Sequence, residues 1–337
     1  MKRVVVLIRE NNELQSNQEG GGGMKKEHRI NETIYAYLQE QLPKLFGNPV
    51  LYHYTAFRTF PVFFCSNADL YCTHFAALND GAEIGQGWEM AIRYLNVNMG
   101  WPNEKCNLLW MYYKKGVLAN KVVSPWIMSF SLAQDSLAQW VAYTDKNEGG
   151  YALGFDRAQL EQIVVRVACN TKKKRDANDE KVAPFRMYVL PCLYSNTNRD
   201  VIEGLFDCYF NQEMEVFDRV KNAEKPEPKD MAKIVAKLLL VSSIIKHESF
   251  RYEEEVRLII QPTISTYDEC EFLGGKPRWK TNISKYINAP LCSLLKEIWV
   301  SPHGDRQVLL TSAQIMKTKH GLLNCEINES ASPYNGR

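Results

Sequence analysis

Lys246-His247-Glu248-Ser249-Phe250-Arg251-Tyr252-Glu253-Glu254-Glu255-Val256-Arg257-Leu258-Ile259-Ile260 is the stretch on which the fold turns. Strand side chains alternate between faces, so a strand here puts Glu253, Glu255 and Arg257 on one side and Val256, Leu258 and Ile260 on the other. Glutamate and arginine also suit a helix, but the aliphatic, β-branched run after Tyr252 and the break at Gln261-Pro262 favour a strand. Two carboxylates and a guanidinium on one face have two readings. They are a charge ladder on a solvated edge, or a site carboxylate held by its neighbours.

Working outward, the 337 residues are enough to bury a sizeable core and lie between one large domain and two ordinary ones. Charged residues make up 24% and the formal charge is +2, which leaves no nucleic-acid or membrane footprint. The nine cysteines, Cys65, Cys72, Cys106, Cys169, Cys192, Cys208, Cys270, Cys292 and Cys325, form no C-x-x-C pair. Odd in number and irregular in spacing, they read as reduced, mostly buried thiols rather than a zinc site. The apolar run Val4 to Ile8 is too short for a signal-peptide core, and Leu238 to Val241 is cut by Ser242-Ser243 before it could span a membrane. A cytoplasmic protein without a membrane partner is expected.

Residues 1–23 are polar at their end and close on Gly20-Gly21-Gly22-Gly23, the composition of a flexible lead-in. Alternatively Met24 is the natural start, because Glu-Gly-Gly codons are purine-rich and can contain a ribosome-binding sequence. Helical spacing runs through Ile34, Tyr37, Leu38 and Leu42 and recurs at Glu89 to Asn98, Asn107 to Leu118, Val201 to Lys221 and Asp230 to Ser243. Strands are expected at Val50 to Thr55, Phe60 to Phe64, Leu70 to Thr73, Trp126 to Ser131, Gly150 to Phe155, Val164 to Ala168, Glu255 to Ile260 and Glu297 to Val300. The basic cluster between Lys172 and Lys181 reads as a solvated hairpin tip. Strands before, between and after helices, without regular βαβ alternation, predict an α+β fold: a mixed, mainly antiparallel sheet with flanking helices in a single large domain. Its expected limits are residues 24–325, with a helical insertion at about 200–245 and a flexible tail over residues 326–337.

Polar clusters fall at strand ends: His53 in Tyr52-His53-Tyr54-Thr55, Asn79 and Asp80 in Leu78-Asn79-Asp80-Gly81-Ala82-Glu83, and Ser129 and Ser131 in Met128-Ser129-Phe130-Ser131. Each alone has an ordinary structural explanation as a core histidine, a turn or a strand ending. With Trp140-Val141-Ala142-Tyr143, Gly150 to Asp156, and the Lys246-His247, Phe250 and Tyr252-Glu253-x-Glu255-x-Arg257 positions, the series resembles the bacterial domain-of-unknown-function family DUF2971 from about Val50 to about Leu323. It departs from that family at Gly81, where proline is usual, and at Ala142, where histidine is frequent.

The order of histidine, serine or aromatic, then glutamate also resembles ADP-ribosyltransferase-like enzymes of the histidine-tyrosine-glutamate type. That resemblance implies an NAD-processing protein, a bacterial toxin or phage-defence effector, with NAD as cofactor, no metal, and a protein or nucleic acid as acceptor. Catalysis would fall to Glu255 or Glu253 and His53. Binding would fall to Tyr54, Asn79, Asp80, Ser129, Ser131, Trp140, Tyr143 and Arg257. The physics agrees: a fixed carboxylate would stabilise the positive charge that develops on ribose as the nicotinamide bond breaks. Two other classes stay open. One is a metal-dependent nuclease or phosphodiesterase using Asp80, Glu83, Glu253 and Glu255. The other is a non-enzymatic nucleotide sensor with an aromatic pocket around Tyr52, Tyr54, Trp140 and Tyr143.

Overall fold

The computed structural model describes residues 34–64, 70–78, 83–118, 124–164, 185–262, 270–273, 275–281 and 290–333. The expected lead-in, residues 165–168 of the expected strand, the basic cluster at 172–181, and Asn79 and Asp80 lie outside the described residues.

The centre is β8 (Glu255–Pro262), buried along its whole length. It lies between β3 (Trp126–Ser131) and β5 (Phe185–Pro191), antiparallel to both. Val256, Leu258 and Ile260 make one face apolar, while Ile259 shares the other with the buried polar side chains Glu255, Arg257 and Gln261. The far edge of β3 meets two strands. β1 (Val50–Ala56) touches it at Tyr52↔Ser131, and β2 (Leu70–His74) at Thr73↔Ile127 and His74↔Trp126. The sheet therefore parts on that edge. One arm continues from β1 to β4 (Gly150–Asp156), β11 (Leu295–Val300) and β12 (Glu326–Glu329); the other continues from β2 to β10 (Lys276–Thr281) and β9 (Cys270–Leu273). Ten strands join in this one sheet among the described residues, antiparallel except for the β11–β12 pair. The short strands β6 (Leu193–Tyr194) and β7 (Ile245–Lys246) pair in parallel beside it. The α+β expectation holds.

Cross-strand partners point to the same face, so the register sorts the core into two layers. Val256, Leu258 and Ile260 pack with Met128, Phe130, Val189 and Leu153 on one face, under the helix α7 (Arg306–Lys319) and the 3-10 segment Phe57–Phe64. On the other face Ile127, Tyr188, Leu190 and Ile259 meet α1 (Glu83–Val97), α4 (Arg199–Asn211), α5 (Met214–Asn222) and α6 (Pro228–Ser242). α1 can approach the end of α6 because residue 87 is glycine: a Cβ there would lie 2.7 Å from Ser242 Cα. The helix α3 (Leu137–Tyr143) covers the β1–β4 arm on the same side, with Trp140 fully buried.

Four expectations need correction. Glu253 is not in the strand; it ends a 3-10 turn, Glu248–Glu253, and Glu254 follows in the left-handed region at φ 45°. Phe60 to Phe64 is helical because Pro61 lacks the N–H a ladder needs, and the turn packs Phe60 on Tyr151 at 3.9 Å between ring centroids. The expected single helix from Val201 breaks at Gln212-Glu213, which brings Phe210 and Phe217 to 5.1 Å in one core. The C-terminal boundary moves as well: residues 326–329, read as the start of a tail, form β12 on β11. Glu326-Ile327-Asn328-Glu329 has no apolar alternation to announce an edge strand. No helix among the described residues is long and apolar enough to cross a membrane.

Candidate functional site

β8 emerges from the left-handed turn at Glu254, and that turn aims two carboxylates at one lysine. Lys246 Nζ lies 2.6 Å from Glu253 Oε2 and 2.8 Å from Glu255 Oε2. Arg257 grips Glu255 through Nε at 2.8 Å and Nη2 at 3.0 Å, and its Nη1 donates to the Ser243 carbonyl at the end of α6. Two cations and two anions cancel. Lys246, Glu255 and Arg257 are buried, with side chains 2%, 4% and 1% exposed. Burial would raise the Glu255 pKa; Arg257 and Lys246 together outweigh it and hold the carboxylate down at about 2. The chain around the carboxylates is fixed too: Glu255 N–H donates to Tyr194 Oη, Cys192 N–H to the Glu255 carbonyl, and Ser131 Oγ to the Glu253 carbonyl at 2.7 Å. Gln139 of α3 reaches that last carbonyl at 3.4 Å.

On β3, Ser131 stands opposite Glu255 and Ser129 opposite Arg257, all on the face that carries α6. Tyr54 and Trp140 share that face farther along, edge to face at 4.7 Å, with half-buried Tyr143 against them. Their polar ends hold the loop after β3. Tyr54 Oη donates to the Ala133 carbonyl and accepts from Ser136 N–H, while Trp140 Nε1 donates to Asp135. Tyr54 and Trp140 are therefore spent on structure.

His53 is elsewhere. It pairs with Leu153 and faces Phe63 and Phe130, the layer opposite Glu255. Alternation along β1 decides this, since Tyr52 and Tyr54 take the α3 side. The ring stands where β1 leaves β3, and its Nδ1 is 2.9 Å from the Ser129 carbonyl oxygen, closing the ladder where the next strand has swung away. A carbonyl only accepts, so Nδ1 carries the hydrogen and Nε2 the lone pair. No described residue bonds Nε2. Burial lowers the His53 pKa to about 4, against the Ser129 bond and helped by the nearby Arg278 charge, so the ring is neutral at physiological pH.

The structure thus brings Glu253, Glu255, Arg257, Ser129 and Ser131 together and joins His53 to them only through the β3 backbone. Asn79, Asp80 and the Glu83 side chain lie outside the described residues. Lys246, quoted in the acidic stretch but given no role there, is the bridge between the carboxylates. Arg278, Tyr194 and Gln139 were not singled out; Lys276-Pro277-Arg278-Trp279-Lys280 reads as an ordinary charged hairpin.

Residues 139–258 match the family of proteins of unknown function, DUF2971. The motif-based resemblance is upheld over that segment. The DUF2971 segment runs from α3 into β8 and holds Trp140, Tyr143, Lys246, Glu253, Glu255 and Arg257, with His53, Ser129 and Ser131 outside it. The family description assigns no activity. No curated protein and no solved structure matches the chain.

Proposed function

We propose that this protein binds a nucleotide where the sheet parts and processes NAD in the manner of ADP-ribosyltransferase-like enzymes. The observation that carries the reading is the strand order β8–β3–β1, in which the glutamate strand, the S-x-S strand and the histidine strand are neighbours and β1 leaves β3 beside His53. An opened sheet leaves backbone and side-chain groups unpaired in a place shielded from bulk water, which suits a small polar ligand. His53 Nε2, an acceptor in the layer opposite the carboxylates, fits a hydroxyl elsewhere on the nucleotide. Of the two carboxylates Glu253 is the better partner for a developing ribose cation, because its side chain is 17% exposed whereas that of Glu255 is 4% exposed and neutralised by two cations.

That double neutralisation of Glu255 also favours the non-enzymatic sensor as a second reading. One assay separates the classes: nicotinamide release from NAD by the full chain, with and without lysate as acceptor, in the presence of a chelator. Release is expected, with Glu253→Gln lowering turnover about 100-fold or more while NAD binding persists. His53→Ala should raise KM as well as lower kcat, since a hydroxyl partner acts in ground and transition states. Binding of NAD without release supports the sensor. Cleavage that requires added magnesium supports the phosphodiesterase class.

A further inference from the structure

Arg278 on β10 pairs with Thr73 of β2, which pairs with Ile127 of β3 just before the sheet parts. Its Nη1 donates to Thr73 Oγ1. Its Nε is buried with no hydrogen-bond partner among the described residues. Among the described residues no carboxylate forms an ion pair with it, and the groups that feel its charge are His53 and the buried thiol Cys72. Burial pushes the Cys72 thiol up, so it is neutral and no counter-ion. A half-buried guanidinium with an orphaned donor keeps a desolvation cost that the Thr73 bond offsets only in part, since Glu271, its cross-strand neighbour on β9, is exposed and pairs with Lys280. Arg257, Arg157 and Arg219 each hold a carboxylate, although Arg157 too leaves a buried Nη2 without a partner among the described residues.

The free edge of a guanidinium presents parallel donors suited to an oxyanion. The register places Arg278 with Thr73 and Ile127 on the face that carries α6, while His53 lies in the opposite layer and feels only its charge, so the arginine by itself calls for an anion such as a phosphate. We propose that Arg278, braced by Thr73, binds a phosphate of the nucleotide. The proposal rests on the nucleotide reading above and assigns its anionic end to a residue outside the DUF2971 segment.

The test is calorimetric titration of the full chain with ADP-ribose, adenosine and inorganic pyrophosphate. ADP-ribose should bind at least about tenfold more tightly than adenosine. Arg278→Gln should weaken ADP-ribose and pyrophosphate by about 10–100-fold and leave adenosine unchanged, the scale of a charged hydrogen-bond pair. Without ligand, Arg278→Gln should melt no lower than the parent, because no ion pair among the described residues is lost; Arg278→Lys, which keeps the charge but not the fork, should fall between them in affinity. Thr73→Val should weaken pyrophosphate in the same direction by less. Undiminished ADP-ribose affinity in Arg278→Gln, or no binding of any phosphate-bearing probe by the parent, overturns the site. Phosphate binding through Arg278 without nicotinamide release keeps the site and removes the catalytic reading; NAD turnover indifferent to Arg278→Gln does the reverse.

Discussion

Replacing Glu255 by glutamine would remove one charge from between Arg257 and Lys246 while both cations stay buried. Breaking one side of a buried pair costs roughly 3–5 kcal/mol, because the remaining charge keeps its desolvation penalty. Chemical denaturation of Glu255→Gln should show a loss of that order, and Glu253→Gln, whose carboxylate is the more exposed, a smaller one. Equal and negligible losses would mean that the pair does not anchor β8. At this scale the sequence was informative about residue types and weaker on roles. Glu255 and Arg257 share a face of β8 through strand alternation, as expected, whereas Glu253 joins them through the left-handed residue Glu254 and the lysine at 246. A non-glycine residue with positive φ carries no local sequence signature, and it appears only because surrounding contacts hold it.

Elements tell a similar story at the C-terminus. β12 pairs in parallel with β11, and the residues after it return to the loop that follows β3: Ser330 Oγ lies 2.6 Å from Asp135 Oδ1, and Ala331 N–H donates to Asp135 Oδ2. The same aspartate accepts from Trp140. Ending the chain at Cys325 should therefore lower stability by a few kcal/mol, about 1 kcal/mol for each lost bond of this kind, and should speed amide exchange across 132–136. Unchanged exchange there would show that Tyr54 and Trp140 hold the loop unaided. The strands β1, β3, β4, β8 and β11 were legible because each carries a run of large apolar residues. β12 was not, since its stabilisation comes from a neighbour far away in sequence, and neither was the helical turn at Phe57–Phe64, whose phenylalanines suit a strand until Pro61 is weighed.

For the molecule as a whole, acid stability should fall in two stages. His53 and His74 have pKa values lowered by burial from 6.5 to about 4, so the unfolded chain takes up protons first. Their contribution is complete above 6.5 and is lost as pH falls through about 4. The Glu255 contribution is complete above 4.5 and is lost as pH falls through about 2. Denaturation midpoints measured between these limits should decline in both windows, with the upper decline reduced in His53→Gln and the lower one in Glu255→Gln. A flat upper window would show that the histidines are solvated. Composition and periodicity by themselves determined that this chain forms an α+β sheet protein with a strand over β8, because its apolar face is written locally, but they left open whether that strand was a solvated edge or the centre of the sheet. Which carboxylate is silenced, which face His53 takes, and that Arg278 stands beside the parting strands were decided by tertiary structure alone. Those facts depend on register and on charges brought together from distant parts of the chain, and neither is encoded in any single window of residues.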